Sequence, residues 1–308
     1  MSGFNFLRES ELHIIQGSNR YNVKITPALS FSQTFAEDAY EVKTLHDQTK
    51  MFQGTSITKA NPANFSFETH LTLEKDESIV LDLLTDYDTS SGEQLLKSFD
   101  MYIVSNNQTL KIEGCVITQG EFRFDKGSPL ILAVSGSGKK LERVGDESFS
   151  IPGSAQSESS TRTPLIVYPV LTVDSLDMSS ILSTTLQIQN QIQFTPFETL
   201  HDSLSVTDSS NAMFPSTYTL EMRVASGEIR QYQTDNNVTQ FDDFNTSSNL
   251  TIKAVQVGNP SSDSGFFSIN LNPISYTARM NPTDAYTQSY DYTSTDNTAL
   301  GTRITQYS

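Results

Sequence analysis

The chain has 308 residues and a formal net charge of −16, so it is long enough for two domains, each with its own core. An acidic surface repels nucleic-acid phosphates, which argues against tight or sequence-specific DNA binding. It is compatible with simple solubility, and with a channel wall past which DNA slides. Only 36% of the residues are hydrophobic, but the 18 Phe and 12 Tyr lie in alternating patterns that indicate an ordered β protein.

The single cysteine, Cys115, excludes an internal disulfide framework and a multi-cysteine metal site. Residues 1–11 are polar and charged, unlike a signal peptide. No apolar run approaches the roughly 20 residues of a membrane-spanning helix. We therefore expect a protein made in a cytoplasm, with no membrane partner.

The first half is predicted to begin with a leader at residues 1–20 and short strands at 21–25 and 28–31. Residues 32–64 are mostly polar and too many for an ordinary loop, which predicts a projecting β-hairpin or a functional arm. Its apolar residues are sparse, so we expect the arm to become ordered only against a neighbouring subunit. These candidate inter-subunit residues are Phe35, Leu45, Met51, Phe52 and Ile57.

After this arm, residues 65–73 alternate apolar and polar and give the clearest strand prediction. Residues 76–84 change to a helical period, and the spacing within 90–99 predicts a second helical turn or two. Strand patterns return between residues 101 and 134. Residues 145–163 are rich in Ser, Gly and Glu, which predicts a linker.

A repeat connects the two halves. The tetrapeptide Thr44-Leu45-His46-Asp47 recurs as Thr199-Leu200-His201-Asp202, and both copies follow alternating strands. This predicts a duplicated β-module at residues 21–144 and 164–293, followed by a tail at 294–308. The second copy has only a polar, poorly patterned stretch where the first has its helix. The predicted fold class is mainly β: two tandem β-sandwich or barrel-like modules, each with at most one or two flanking helices.

The candidate motifs for catalysis, cofactors and metals each lack a required residue or spacing. Residues 138–140 end like a phosphate-binding loop, but Ala133 stands where the first Gly is required. Residues 86–90 begin like a calcium loop, but Lys97 occupies the position of the closing Glu. The four histidines show no zinc-binding spacing, and no Gly-x-Ser-x-Gly elbow accompanies them. We therefore predict no catalytic residue, no cofactor and no metal site.

The order of these elements resembles the tail tube proteins of tailed bacteriophages. The shared features are the short strand pair, the long polar arm, the strand at 65–73 after Asn61-Pro62-Ala63, one flanking helix and the later strand series. Two modules in one chain are similar to duplicated tube proteins, in which a trimeric ring imitates a hexamer. The resemblance implies a virion protein, assembled in the host cytoplasm, that is the major subunit of the tube for DNA ejection.

The implied partners are other copies of the chain in stacked rings, other phage tail proteins, and double-stranded DNA that passes without specific binding. An acidic lumen would keep this DNA from adhering. The candidate lumen-facing residues, chosen from the strand patterns, are Glu68, Glu74, Glu113 and Glu221.

Three alternatives stay open on the sequence, and the third, after the two that follow, is a hydrolase of unrecognised type. One is a different phage structural protein, either a baseplate protein that initiates the tube or a capsid decoration protein. The other is a β-sandwich surface adhesin or carbohydrate-binding module, which the many Tyr and Asn residues would suit.

Overall fold

The computed structural model describes residues 7–42, 52–88, 90, 95–125, 127–173, 178, 180–195, 213–215, 217–237, 248–256, 267–282, 284–294 and 304–306. Within these residues the chain is mainly β, as the sequence predicts. The repeated tetrapeptide lies outside the described residues, and the division into two modules stays a prediction.

The first half holds a short 3-10 turn at Leu7–Glu9, twelve strands and the helix α1. The strands are β1 (Glu11–Gln16), β2 (Asn19–Val23), β3 (Ser30–Ser32), β4 (Phe35–Val42), β5 (Phe52–Ala60), β6 (Ala63–His70), β7 (Tyr87–Asp88), β8 (Leu95–Leu96), β9 (Phe99–Ser105), β10 (Gln108–Phe124), β11 (Ile131–Gly138) and β12 (Lys140–Gly145), with α1 at Ser78–Thr85.

The second half contributes strands only, within the part of the chain that the structure describes. They are β13 (Ser154–Ala155), β14 (Val167–Val173), β15 (Ile181–Thr195), β16 (Thr217–Tyr232), β17 (Ser248–Gln256), β18 (Phe267–Asn281), β19 (Thr287–Ser294) and β20 (Ile304–Gln306).

One branched sheet of 16 strands runs through both halves in the order β13-β2-β1-β9-β10-β15-β16-β19-β18-β17-β14. The sheet branches at strand β10. This 17-residue strand pairs with β9 and β12 along its first part and with β11 and β15 along its second part. Strands β6 and β3 extend the sheet beyond β11. The described strands form no closed barrel.

The core lies against one face of this sheet and is covered by α1. Strand β6 shows how the sequence produces this arrangement, since Phe65 and Phe67 are buried while Ser66 between them is only half-buried. The helix approaches so closely that a Cβ added to Gly120 of β10 would lie 2.3 Å from Leu84 Cδ2. One hydrophobic cluster includes residues of α1, β10, β15 and β18, so both halves share it.

Two elements agree with the sequence predictions. The helix predicted at residues 76–84 is α1. The polar stretch 32–64 contains a β-hairpin, in which β4 and β5 pair as a separate two-stranded sheet.

Two other predictions differ from the structure. The helical turn predicted within residues 90–99 was wrong where the structure describes it, because Leu95–Leu96 is strand β8 and Phe99 begins β9. Residues 11–16, which we assigned to a leader, form β1 between β2 and β9. Leu12 and Ile14 alternate toward the core and are fully buried, so burial of this short apolar alternation fixes the segment in the sheet.

No helix in the described part of the chain is long and apolar enough to cross a membrane. The same residues contain no group of three His, Cys, Asp or Glu side chains placed to hold a metal ion.

Candidate functional site: a polar sheet face

A broad polar surface covers the side of the sheet away from the core. Residues directly opposite each other in antiparallel strands share one face of a sheet. The strand pairings therefore connect residues into rows. One row crosses seven strands from both halves: Glu68, Ala133, Glu121, Gln187, Ser226, Thr293 and Ser275.

A second row lies two residues along the strands. It contains Ser30, Ser66, Ser135, Gln119, Gln189 and Val224. We call these two rows, with their same-side neighbours on strands β3, β6, β11, β10, β15, β16, β19 and β18, the polar sheet face. Its side chains are mainly hydroxyls and neutral amides.

The row between these two belongs to the core. It consists of Phe67, Val134, Gly120, Ile188 and Ala225, of which the four with side chains are at most 3% exposed. The alternation of polar and apolar residues therefore runs in register across strands of both halves. It gives the sheet one buried apolar face and one polar face.

Each arginine on the polar sheet face lies beside at least one carboxylate. Arg123 lies 3.6 Å from the Glu68 carboxylate and 3.1 Å from that of Glu121. The hydrogen bond and charge of Glu121 raise the pKa of Arg123 above its usual range. Arg230 lies 4.0 Å from Glu228, and Arg279 is paired with Asp291. These ion pairs leave the face only weakly charged.

The four glutamates predicted to line a lumen do not occupy one surface. Glu68 lies on the polar sheet face. Glu221 is exposed in β16 at an irregularity of the β15–β16 pairing, and it borders a cleft of about 820 Å³ with Gln189 and Gln191. This cleft also reaches the end of the β4–β5 hairpin at Lys59 and Asn61, so the hairpin and the polar sheet face meet there.

The other two predicted glutamates lie elsewhere. Glu113 is opposite Lys140, on the part of β10 that pairs with β12. Glu74 follows β6 outside any strand, where its carboxylate accepts hydrogen bonds from the Thr163 amide (2.8 Å) and hydroxyl (2.9 Å). The amide of Thr163 is the main reason that the pKa of Glu74 is lowered. A lumen-facing role for these four residues stays a prediction.

The predicted arm residues are described in part. Leu45, Met51 and the side chain of Phe52 lie outside the described residues. Phe35 is 41% exposed and contacts the ring of Phe214 edge-on, with centroids 6.5 Å apart. Ile57 packs against a small cluster of Ala60, Met213 and Phe214. The base of the hairpin therefore packs against residues 213–214 of the second half of the same chain.

Gln33 fixes this base to the main sheet. Its side-chain amide donates to the carbonyls of Asn61 (2.9 Å) and Lys139 (3.0 Å), and its oxygen accepts from the Leu141 amide (2.9 Å). One side chain thus connects the hairpin to the turn between β11 and β12.

Sequence reasoning missed Arg223, which is 1% exposed on the core side of β16. Its guanidinium donates to Asn190 Oδ1 (2.6 Å) and to the carbonyls of Thr85 (2.6 Å) and Leu84 (3.2 Å). It also stacks over the Tyr87 ring, 4.1 Å from the centroid. Burial lowers the pKa of Arg223. The available signal was the pair of polar residues, Asn190 and Arg223, at core-facing positions of adjacent strands.

Cys115 is fully buried, and burial raises the pKa of its thiol well above the usual range. It is therefore a core residue and a poor nucleophile.

The sequence model of the Bacteriophage Baseplate Tube Protein Family matches residues 2–302, which is nearly the whole chain. The match confirms the resemblance to phage tube proteins that the order of elements indicated. No curated protein matches the chain.

Proposed function

Because the chain belongs to the Bacteriophage Baseplate Tube Protein Family, we propose that it forms rings of the tube through which viral DNA leaves the particle. Membership makes it a structural protein of the phage tail or baseplate. The family's description favours the baseplate portion of the tube over the major tail tube that the resemblance implies.

The register of the polar sheet face is the observation that carries this proposal. A subunit of a tube wall needs a sheet with one side packed and the other facing water. The row from Glu68 to Ser275 provides such a surface continuously across both halves. In the proposed ring this face lines the lumen.

The paired charges suit the passage of DNA. Hydroxyls and neutral amides offer no net charge to phosphate, and each Arg on the face lies beside a carboxylate. A close ion pair has a weak field beyond the screening length of about 8 Å at physiological salt. The proposed lumen therefore does not bind phosphate strongly, and it does not depend on the acidic lining that we expect from the sequence.

The strands at both ends of this face are available for ring closure. Among the described residues, β3 pairs only with β6, and the 275–281 part of β18 pairs only with β19. Unpaired strand edges are sites at which another chain adds a strand. We propose that β18 of one subunit lies beside β3 of the next. A trimeric ring that imitates a hexamer, and contacts of the β4–β5 hairpin with the adjacent ring, belong to the same proposal.

Electron microscopy of the purified chain tests this function. We expect single rings or short stacks with a central hole, as a baseplate portion of the tube requires. Long tubes would instead identify the major tail tube subunit. A chain that stays monomeric at every concentration, or binds only to capsids, would contradict a tube function.

A further inference from the structure

The outer edge of β2 is covered by a segment from the middle of the chain, residues 151–158, which we call the edge cover. Strand β13 of this cover pairs in parallel with β2 over only two residues. The amide of Ser154 donates to the Ser18 carbonyl (2.8 Å), and the amide of Gln156 donates to the Arg20 carbonyl (2.9 Å). Among the described strands β2 otherwise pairs only with β1, so without the cover it would be the last strand at this end of the sheet.

Polar contacts hold the edge cover in place, with almost no apolar burial. The Arg20 guanidinium donates to the Ile151 carbonyl (2.8 Å), and Glu158 forms an ion pair with Lys24 at 3.3 Å. Residues 152–158 are all exposed, and Ile151 is half-buried. A segment that buries so little contributes little to the core. What it occupies is the row of backbone groups along the edge of β2.

A bare edge at β2 would offer a pairing site to another strand. Unpaired N–H and C=O groups at the edge of a sheet are a template for a strand of a second chain, and proteins cover such edges with a loop. Every copy of this chain carries the same edge. Two antiparallel copies of β2 centred on Tyr21 would place Arg20 opposite Asn22, so no like charges would meet across the pair. A second copy of β2 is therefore a chemically suitable occupant of this edge.

We propose that the outer edge of β2 is an interaction surface for a second copy of the chain, and that the edge cover keeps this surface closed. The edge lies at the opposite end of the strand order from β18 and on a different branch from β3, the two strands at which the proposed ring closes. Closing β2 therefore removes a route by which subunits would associate outside the ring. The inference does not rest on the tube function, because the edge and its cover belong to a single subunit.

The test is a variant in which the cover is detached. Ser154→Pro and Gln156→Pro together remove both amide donors that bind the cover to β2, and they leave the sequence of β2 unchanged. Sedimentation velocity measures mass and circular dichroism measures β content, at the same concentration as the unmodified chain. We expect the double variant to keep its β content and to form species of at least about twice the mass of those formed by the unmodified chain.

Ser157→Pro is the matched control, because it lies in the same exposed segment and its amide donates no hydrogen bond in the described part of the chain. It should have the mass of the unmodified chain. Asn22→Pro shows whether the association uses β2. The carbonyls of Ser18 and Arg20 are directed to the cover, so Asn22, which alternates with them, directs its amide to the same edge and away from β1. Adding Asn22→Pro to the double variant should restore the original mass.

Three outcomes decide the proposal. If the double variant loses its β content, Gln156→Pro alone, which removes one donor only, carries the test. Unchanged mass of the folded variant, or a raised mass that Asn22→Pro does not reverse, would overturn the proposal. Because each mass is compared with that of the unmodified chain, a failure to form rings would contradict the tube function and leave this comparison valid.

Discussion

The region around α1 and the region of β15, β16 and β19 bury different kinds of residue against the same sheet. Around the helix the core is mainly apolar, as Val80, Leu83 and Phe67 show, with buried polar groups, among them Glu77 and Arg223, at the two ends of α1. The second region buries polar side chains, including Gln231 and Gln288, both fully buried. The two halves of the chain therefore do not have equivalent interiors.

The two regions meet at the C-terminal end of α1. The last carbonyls of a helix have no partner within it, and a cation stabilises that end. Arg223 provides both a hydrogen-bond donor and a positive charge at this end of α1, because its guanidinium donates to the carbonyls of Leu84 and Thr85. The first half of the chain therefore provides the helix, and the second half provides the side chain that completes its C-terminal end.

The largest expected effect comes from cutting this contact. Arg223→Met leaves the Thr85 carbonyl and the Asn190 amide oxygen buried without these donors, and the Leu84 carbonyl with only the 3.3 Å bond from Asn190. We expect the free energy of unfolding to fall by about 4 kcal/mol, measured by urea denaturation.

Arg230→Met is the control on the same strand. Arg230 is about half exposed and 4.0 Å from Glu228, so its loss should change stability by less than about 0.5 kcal/mol. Similar, small effects of the two substitutions would show that α1 does not depend on the second half.

A smaller effect is expected where β15, β16 and β19 pack tightly. A Cβ added to Gly227 would lie 2.0 Å from the Thr185 carbonyl oxygen and 2.5 Å from the Tyr292 hydroxyl. These two groups share a hydrogen bond of 2.7 Å, so neither is free to move away. Gly227→Ala should reduce stability by about 2 kcal/mol in the same denaturation assay.

Ser226→Ala, on the polar sheet face next to Gly227, should have an effect within about 0.5 kcal/mol. If Gly227→Ala unfolds at the same urea concentration as the unmodified chain, the second region is more loosely packed than the contacts of Gly227 indicate.

The smallest effects concern pH at the start of α1. Burial raises the pKa of the Glu77 carboxyl above its ordinary 4.5, so its neutral form is favoured in the folded chain. Its contribution to stability is present below pH 4.5 and is lost as the pH rises through the raised value. The unmodified chain should therefore lose stability relative to Glu77→Gln as the pH rises.

Glu74 should show the opposite sign three residues earlier. The Thr163 amide lowers its pKa, so its contribution is present above the ordinary 4.5 and is lost as the pH falls through the lowered value. The unmodified chain should lose stability relative to Glu74→Gln on acidification. Urea denaturation at several pH values measures both stability differences. If the two differences from the unmodified chain change with pH in the same direction, the environments described for Glu77 and Glu74 are wrong.

The sequence predicted what depends on local pattern. The alternation around Phe65 and Phe67 identified β6, and the apolar spacing of Ile79, Val80 and Leu83 identified α1. The error at residues 90–99 has the same origin, because the spacing of Leu95, Leu96 and Phe99 fits a helix as well as separate strands, and long-range pairing decides between them.

The polar sheet face could not be predicted, because it depends on register between distant strands. Glu68 and Glu121 were visible in alternating segments, but their shared partner Arg123 becomes apparent only when β6, β11 and β10 are aligned. The role of Arg223 could not be predicted for the same reason, since its carbonyl partners lie about 140 residues earlier in the chain.

The most direct test of the proposed conduit is thiol labelling of this face before and after assembly. Cys115 is fully buried, so Gln189→Cys or Ser66→Cys introduces the reactive thiol, and Ser157→Cys places one on the exposed 145–163 segment as a control. A bulky maleimide should label all three variants as free subunits. In assembled rings it should still label the Ser157 variant and fail to reach the Gln189 and Ser66 variants. Equal labelling of all three in assembled rings would contradict a lumen lined by the polar sheet face.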